Sequence, residues 1–336
     1  MGHFDKNIPV SIIISGKLRR YSHLSFTRQL FLRNLVLLNI RDVFLTMFGI
    51  LQSFMKLIAW RPDVIFAKGG YVCLPVGFAA HILRIPLVIH DSDAHPGLTN
   101  RVLGLWANVI ATGAPLKYYS YPASKAIYTG IPISDEFHEF SNIEKQEAKL
   151  KWGVAANRPL IVITGGGLGA QRINDASVVA LDDLTRLGSV VLISGVGQYN
   201  ELKSILPANN EKFQLHSFIA SDVASLLGAA DVVIARAGAT TILELASLVK
   251  PTILIPNEKL TGNHQLKNTN VYLEKEAVKF ISEADMVNDP KILASAVKDI
   301  LHSPEASHKM AIRFSNFVRP NAARDVADMI ISSIKL

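Results

Sequence analysis

Ile161-Val162-Ile163-Thr164-Gly165-Gly166-Gly167-Leu168-Gly169-Ala170 reads as a buried strand, a glycine turn and a helix beginning near Ala170. Bare backbone N–H groups at a helix N-terminus favour a phosphate. Gly165, Gly167 and Ala170 formally satisfy a dinucleotide fingerprint, which also expects an acid at the end of the next strand to hold a ribose. That strand ends Leu192-Ile193-Ser194-Gly195-Val196 without one, and Asp182 and Asp183 precede it. The nicotinamide reading is disfavoured, while a tight turn with no ligand stays open.

Around this stretch, short aliphatic runs alternate with helix-length amphipathic segments, the pattern of a βα-alternating parallel sheet. Expected strands are Val10–Ser15, Val64–Ala67, Leu87–His90, Val109–Thr112, Leu160–Thr164, Val190–Ser194, Val232–Ala235, Thr252–Ile255 and Val278–Ile281. A charge-rich stretch from Ser134 to Arg158 marks the domain boundary. The tail from Asp289 reads as helices, ending with Ala322 to Ile334.

The chain has 336 residues, enough for two domains at roughly 100–200 residues each. Its composition, 49% hydrophobic and 19% charged, excludes a disordered chain and suits large buried sheets or a lipid-facing surface. A net charge of +7 favours an anionic partner without choosing among nucleic acid, lipid and phosphorylated substrate. Cys73 is the single cysteine, so no intramolecular disulfide or cysteine-based metal cluster forms. The first thirty residues lack a signal-peptide pattern, and the chain reads as cytosolic. The longest uncharged stretch of the most apolar region, Val43 to Met55, has 13 residues, short of the ~20 that cross a bilayer.

Four further constellations carry chemistry. Arg236-Ala237-Gly238-Ala239-Thr240-Thr241-Ile242-Leu243-Glu244 opens a helix with small and hydroxylated residues that suit a pyrophosphate, and Glu244 lies within reach of ribose hydroxyls. It reads equally well as a solvated helix carboxylate. Asn263-His264-Gln265 and Asn268 offer amides and an imidazole to sugar hydroxyls, or form an ordinary polar loop. Phe66-Ala67-Lys68-Gly69-Gly70-Tyr71 is another strand and glycine turn, and His90-Asp91-Ser92-Asp93 ends a strand at the edge where open α/β sheets bind ligands. A core histidine and a capping Asp93 are the plainer readings. Asp91-Ser92-Asp93 also spells D-x-D, too short a match to indicate a metal.

Together these residues closely resemble glycosyltransferase family 28. The resemblance rests on Gly69-Gly70-Tyr71-Val72, His90 to Asp93 with Gly97-Leu98-Thr99-Asn100, Gly165 to Asn174, and Arg236 to Glu244 continuing to Asn268. It implies an α/β protein of GT-B class, two Rossmann-like parallel-sheet domains facing a cleft. These would be an acceptor and membrane-side domain at 1–140, a donor domain at 157–320, and a helix at 321–336 packing across both. The implied activity is inverting transfer of N-acetylglucosamine from UDP-N-acetylglucosamine to an undecaprenyl-pyrophosphate-linked muramoyl-pentapeptide, with no cofactor, no metal and no nucleic acid.

By the same resemblance, Ile219 would meet uracil through its backbone and Glu244 the ribose. Gly166, Gly167, Gly169, Arg236, Gly238, Ala239, Thr240 and Thr241, with Ile242 and Leu243 behind them, would form the diphosphate end. His264, Gln265 and Asn268 would face the sugar. Gly69, Gly70, Tyr71, Asp93, Asn100 and Ser134 would serve the acceptor, and His90, Asp91 or Asp93 would supply the base.

The sequence departs from the family at its start, where a Gly-Gly-Thr-Gly-Gly-His-type loop and its histidine are expected before Val10. Asp93 stands where an asparagine is usual, Ser134 where an arginine is usual, and Gly167 where a serine is usual. A truncated enzyme, a nucleotide-sugar-binding subunit whose protein partner supplies the rest, and a relative with another lipid acceptor are therefore all open. Leu30 to Ile58, with Arg19, Arg20 and Arg28 upstream, suits a peripheral face on anionic lipid at the cytoplasmic side of the membrane, or a core helix pair.

Overall fold

A parallel strand carries its side chains into layers on both faces and needs a crossover helix to reach the next strand. The computed structural model, which describes residues 8–17, 32–258 and 263–334, builds two units on that rule. One holds the described chain up to Asp91, then Pro96–Tyr128 and the residues from Arg324; the other holds Ser92–His95 and Thr129–Ala323.

The first unit begins with helix α1 (Arg33–Trp60), followed by β1 (Ile65–Ala67), α2 (Cys73–Leu83), β2 (Leu87–Asp91), α3 (Leu98–Leu103), β3 (Val109–Thr112) and β4 (Ala126–Tyr128). Its sheet has the order β1-β2-β3-β4, all parallel, with Ile89 opposite Ile110 in register. Leu87, Ile89, Leu103 and Ile110 form its core, and Leu57 of α1 packs with Ala79 and Ala80 of α2.

Val10–Ser15, expected as a strand, is not one. Among the described residues the segment has no strand neighbour, and side chains of α1 take the place of a ladder: Ile14 N–H donates to Gln52 Oε1 at 2.9 Å, and Gln52 Nε2 donates to Ile12 O at 3.1 Å. The 13-residue uncharged stretch lies inside a much longer helix. α1 has 28 residues and is long and apolar enough, by length and composition, to cross a bilayer. Its interrupting charges are partly neutralised, because Arg41 pairs with the buried Asp42 at 2.9 Å. Leu37, Ile40, Phe44, Met47, Leu51, Met55 and Ile58 form an exposed stripe at helical spacing. Arg19, Arg20 and Arg28 lie outside the described residues.

The second unit contains α4 (Asn142–Lys151), β5 (Leu160–Thr164), α5 (Gln171–Val179), α6 (Leu181–Leu187), β6 (Ser189–Ile193), α7 (Val196–Ile205), β7 (Phe213–His216), α8 (Val223–Ala229), β8 (Val232–Ala235), α9 (Ala239–Ser247), β9 (Thr252–Leu254), α10 (His264–Leu273), β10 (Lys279–Phe280), α11 (Glu283–Asn288), α12 (Ile292–His302) and α13 (Pro304–Ser315). α14 (Ala322–Ser333) closes the chain. Ser141 and Glu144 form a reciprocal capping box that starts α4 inside the charge-rich stretch.

The six parallel strands are ordered β10-β9-β8-β5-β6-β7. Ile163 of β5 lies opposite Leu192 of β6 on one side and Ile234 of β8 on the other. Chain order reverses between β5 and β8, and open α/β sheets take ligands at such a reversal, beyond the carboxyl ends of the strands. β5, β6 and β8 are buried along their whole length.

Candidate active site

At the end of β5 the chain must turn sharply into α5, and glycine makes that turn possible at two points. A Cβ on Gly165 would lie 2.3 Å from Ala170 N, and one on Gly169, at φ +77°, would lie 2.2 Å from Ser194 O. Neither position accepts a side chain. Gly166 and Gly167 differ, since a Cβ there meets nothing within 4 Å, and the same holds for Gly238 in the loop after β8. The two loops flanking the reversal therefore present bare backbone on their open sides.

After β8, Gly238 caps α9, with Ala239 to Thr241 in its first turn and Thr240 exposed. Ile242 and Leu243 are buried and seat the helix on the core. Glu244 is half-buried, and burial raises its carboxyl above the ordinary glutamate range. A carboxylate desolvated by burial is a candidate functional position. Ile219 follows β7 and is half-buried beside the exposed Phe218.

α10 contributes the next polar groups. Gln265 Oε1 accepts from Asn257 N–H at 2.8 Å. The buried Asn268 accepts from Ala94 N–H at 2.8 Å and donates to Asp93 Oδ1 at 2.9 Å and to Ala237 O at 3.2 Å. His264 Nδ1 lies 4.0 Å from Asp93 Oδ2. Asp93, expected on the acceptor side, thus sits with the expected sugar-facing residues in the second unit. Ser134 falls in that unit as well and is exposed.

The other candidates lie in the first unit. Gly69 and Gly70 turn at φ +87° and +86°, and a Cβ on Gly69 would press on the Asn100 amide at 3.2 Å. Asn100 Nδ2 donates to His90 O at 3.3 Å, which brings Gly69, His90 and Asn100 together, while Tyr71 is exposed. His90 and Asp91 are expected at the C-terminal edge of their strand, with a core histidine as the plainer reading. Both are buried, because β2 is covered on both faces, and Asp91 accepts from Tyr121 Oη at 2.9 Å. Burial first, and Asp91 second, hold the Tyr121 phenol protonated far above its usual range.

Sequence reading missed Tyr121, Arg172 and Glu283. Glu283 is buried and accepts from Arg236 Nη2 at 2.5 Å and from Arg172 Nη1. Arg236, expected to face the donor, therefore has its guanidinium bound within the protein, where it also donates to Ile255 O at 3.1 Å. Separations of 47 and 111 residues leave no local pattern for such a triad. Among the described residues, no three His, Cys, Asp or Glu side chains gather as a metal site.

Comparison with known proteins bears on both units. Residues 11–112 match the glycosyltransferase family 28 N-terminal domain and residues 160–328 the family's C-terminal domain. A protein of Bacillus thuringiensis subsp. konkukian named UDP-N-acetylglucosamine--N-acetylmuramyl-(pentapeptide) pyrophosphoryl-undecaprenol N-acetylglucosamine transferase 2 is 32% identical, over 93% of this chain and 82% of its own. Its Listeria monocytogenes namesake is 31% identical over 91% of this chain and 83% of its own. Among solved structures, Acinetobacter baumannii MurG is similar with a TM-score of 0.69 at 25% identity, covering 87% of this chain and 79% of that one. UDP-GlcNAc 2-epimerase from Neisseria meningitidis, bound to UDP-GlcNAc, shares the fold with a TM-score of 0.66 at 15% identity, covering 86% and 81%. With two Rossmann-like parallel-sheet units of GT-B class and both family domains matched in order, the chain belongs to glycosyltransferase family 28.

Proposed function

We propose that this protein transfers N-acetylglucosamine from UDP-N-acetylglucosamine to a muramoyl-peptide carried on a polyprenyl pyrophosphate, inverting the anomeric carbon without a metal. The observation that carries the reading is the strand reversal between β5 and β8, flanked by two bare-backbone loops and the desolvated Glu244. Backbone amides at the starts of α5 and α9 are preorganised donors for the charge that develops on the departing UDP diphosphate. Glu244 accepts from the ribose hydroxyls, the backbone at Ile219 meets the uracil, and His264, Gln265 and Asn268 face the sugar.

The acceptor hydroxyl oxygen attacks the anomeric carbon as the bond to UDP breaks, and its proton passes to a base. Asp93 is the best placed of the three candidate groups, because its side chain is 42% exposed beside Asn268 and His264, whereas His90 and Asp91 are buried. Gly69, Gly70, Tyr71, Asn100 and Ser134 serve the acceptor. Because a polyprenyl chain stays in the bilayer, the protein works at the cytoplasmic membrane face, held peripherally by the apolar stripe of α1.

The test is transfer from labelled UDP-N-acetylglucosamine to a lipid-linked muramoyl-pentapeptide, with and without EDTA, against other UDP-sugars and lipid acceptors. No transfer of N-acetylglucosamine to any lipid acceptor would sink the proposal. A second reading, a nucleotide-sugar-binding subunit that needs a partner protein, is favoured by the burial of His90 and Asp91. UDP binding without transfer by the isolated chain supports it.

A further inference from the structure

We infer that Glu283 is a positioning residue that locks the two diphosphate-facing loops into one geometry, an inference that rests on the donor-site reading above. Glu283 is the first residue of α11 and is 3% exposed. One carboxylate oxygen accepts from Arg236 and the other from Arg172. Arg236 is the residue at which the chain leaves β8 for Gly238, and Arg172 is the second residue of α5, just beyond the Gly165–Ala170 turn. A single carboxylate therefore ties together the bases of both loops.

The loops need such a tie. Their open faces, at Gly166, Gly167 and Gly238, have no neighbouring atoms to pack a side chain against, so packing there cannot set their shape. Fixed anchors at the loop ends can, and bidentate bridging by a buried carboxylate gives direction as well as strength. The charge balance also suits the ligand. Two guanidiniums against one carboxylate leave one positive charge beneath the loops, on the side nearer Arg172, whose side chain is 36% exposed.

Replacing Glu283 by glutamine keeps the volume but leaves one acceptor oxygen and sets an NH2 donor against the other guanidinium, so the two-sided bridge is broken. If the triad acted through charge alone, that change would add net positive charge and tighten diphosphate binding. If it acts by positioning, diphosphate binding weakens. Ile219 and Glu244, assigned to the nucleoside, make no bond to the triad, so uridine binding stays as it was.

The full chain and its Glu283→Gln and Arg172→Gln variants are titrated with UDP by calorimetry and with uridine by NMR, and folding is followed by circular dichroism. The expected result for Glu283→Gln is about a tenfold loss of UDP affinity, the size of one lost charge-assisted contact, with uridine affinity unchanged. UDP affinity that is unchanged or higher overturns the inference, as does a parallel loss for UDP and uridine. Should Glu283→Gln fail to fold, the partly exposed Arg172→Gln decides: a selective loss of UDP affinity supports the tie, and wild-type affinity overturns it. Absence of UDP binding by the unmodified chain defeats the donor-site reading itself, a result separate from either variant's.

Discussion

Asn268 donates to Asp93 across 2.9 Å, and the two residues are 175 positions apart in the chain. The same amide accepts from Ala94 N–H, so α10 holds the Ser92–His95 segment by its backbone and by its side chain together. Asn268→Asp would replace the donor with a second carboxylate next to Asp93. Ionising both is then disfavoured, because like charges this close repel. A carboxyl whose pKa is raised by folding contributes stability that is lost as pH rises from its unfolded value through its folded one. The melting-temperature deficit of Asn268→Asp should accordingly be larger at about pH 7 than at about pH 4.5, and a deficit independent of pH would show that the pair does not couple.

Glu244 shows the opposite balance between stability and binding. Burial raises its carboxyl, so the ionised form costs stability in the free protein, and that cost grows as pH rises from the unfolded glutamate value through the raised folded one. Glu244→Gln should melt no lower than the unmodified chain at neutral pH. It should also lose ~1.5–3 kcal/mol of UDP affinity, about ten- to hundredfold, for lack of a charged acceptor. Calorimetry in EDTA beside a thermal melt measures both; unchanged affinity removes Glu244 from the site, and lost wild-type binding in EDTA revives a metal.

Asp93 and Asp91 separate by environment. Asp93→Asn should cut turnover by roughly 10²–10⁴-fold, the usual scale for a lost general base, with UDP affinity changed little. Asp91→Asn should act on the fold instead, because its carboxylate is the acceptor for Tyr121 in a buried site and a weakened buried bond costs about 1–3 kcal/mol. Steady-state kinetics and a thermal melt on each variant test the division. Full activity in Asp93→Asn would move the base elsewhere.

α1 makes a prediction about membranes. Placing glutamate at Phe44 and Leu51, on its exposed stripe, should abolish most liposome co-sedimentation while leaving the Leu57 side packed against α2. Neutralising Arg19, Arg20 and Arg28 should weaken binding to anionic vesicles, as should added salt. Carbonate extraction separates the geometries, since release means peripheral attachment and retention means that the helix crosses.

What could be read in advance followed the physics of burial. β5 and β8 are continuous apolar runs covered on both faces, so composition alone outlined them. β7 escaped because Phe213-Gln214-Leu215-His216 alternates buried and half-buried residues on an outer strand, and β4 because it too is an outer strand, with Ala126 alone fully buried. Val10–Ser15 misled in the other direction, since β-branched residues favour extended backbone but a strand exists only when another lies beside it. The glycine loops were visible as local patterns. The Glu283 triad and the Asn268–Asp93 pair were not, because each is made by residues that folding alone brings together.

The reversal of strand order between β5 and β8 has an evolutionary consequence. A site located by the path of the chain survives replacement of nearly every residue around it, so lineages can exchange loops and change sugar or acceptor without relocating the nucleotide. On the proposed donor site, grafting the first turn of α10 from a relative with a different UDP-sugar is then a rational route to new donor selectivity.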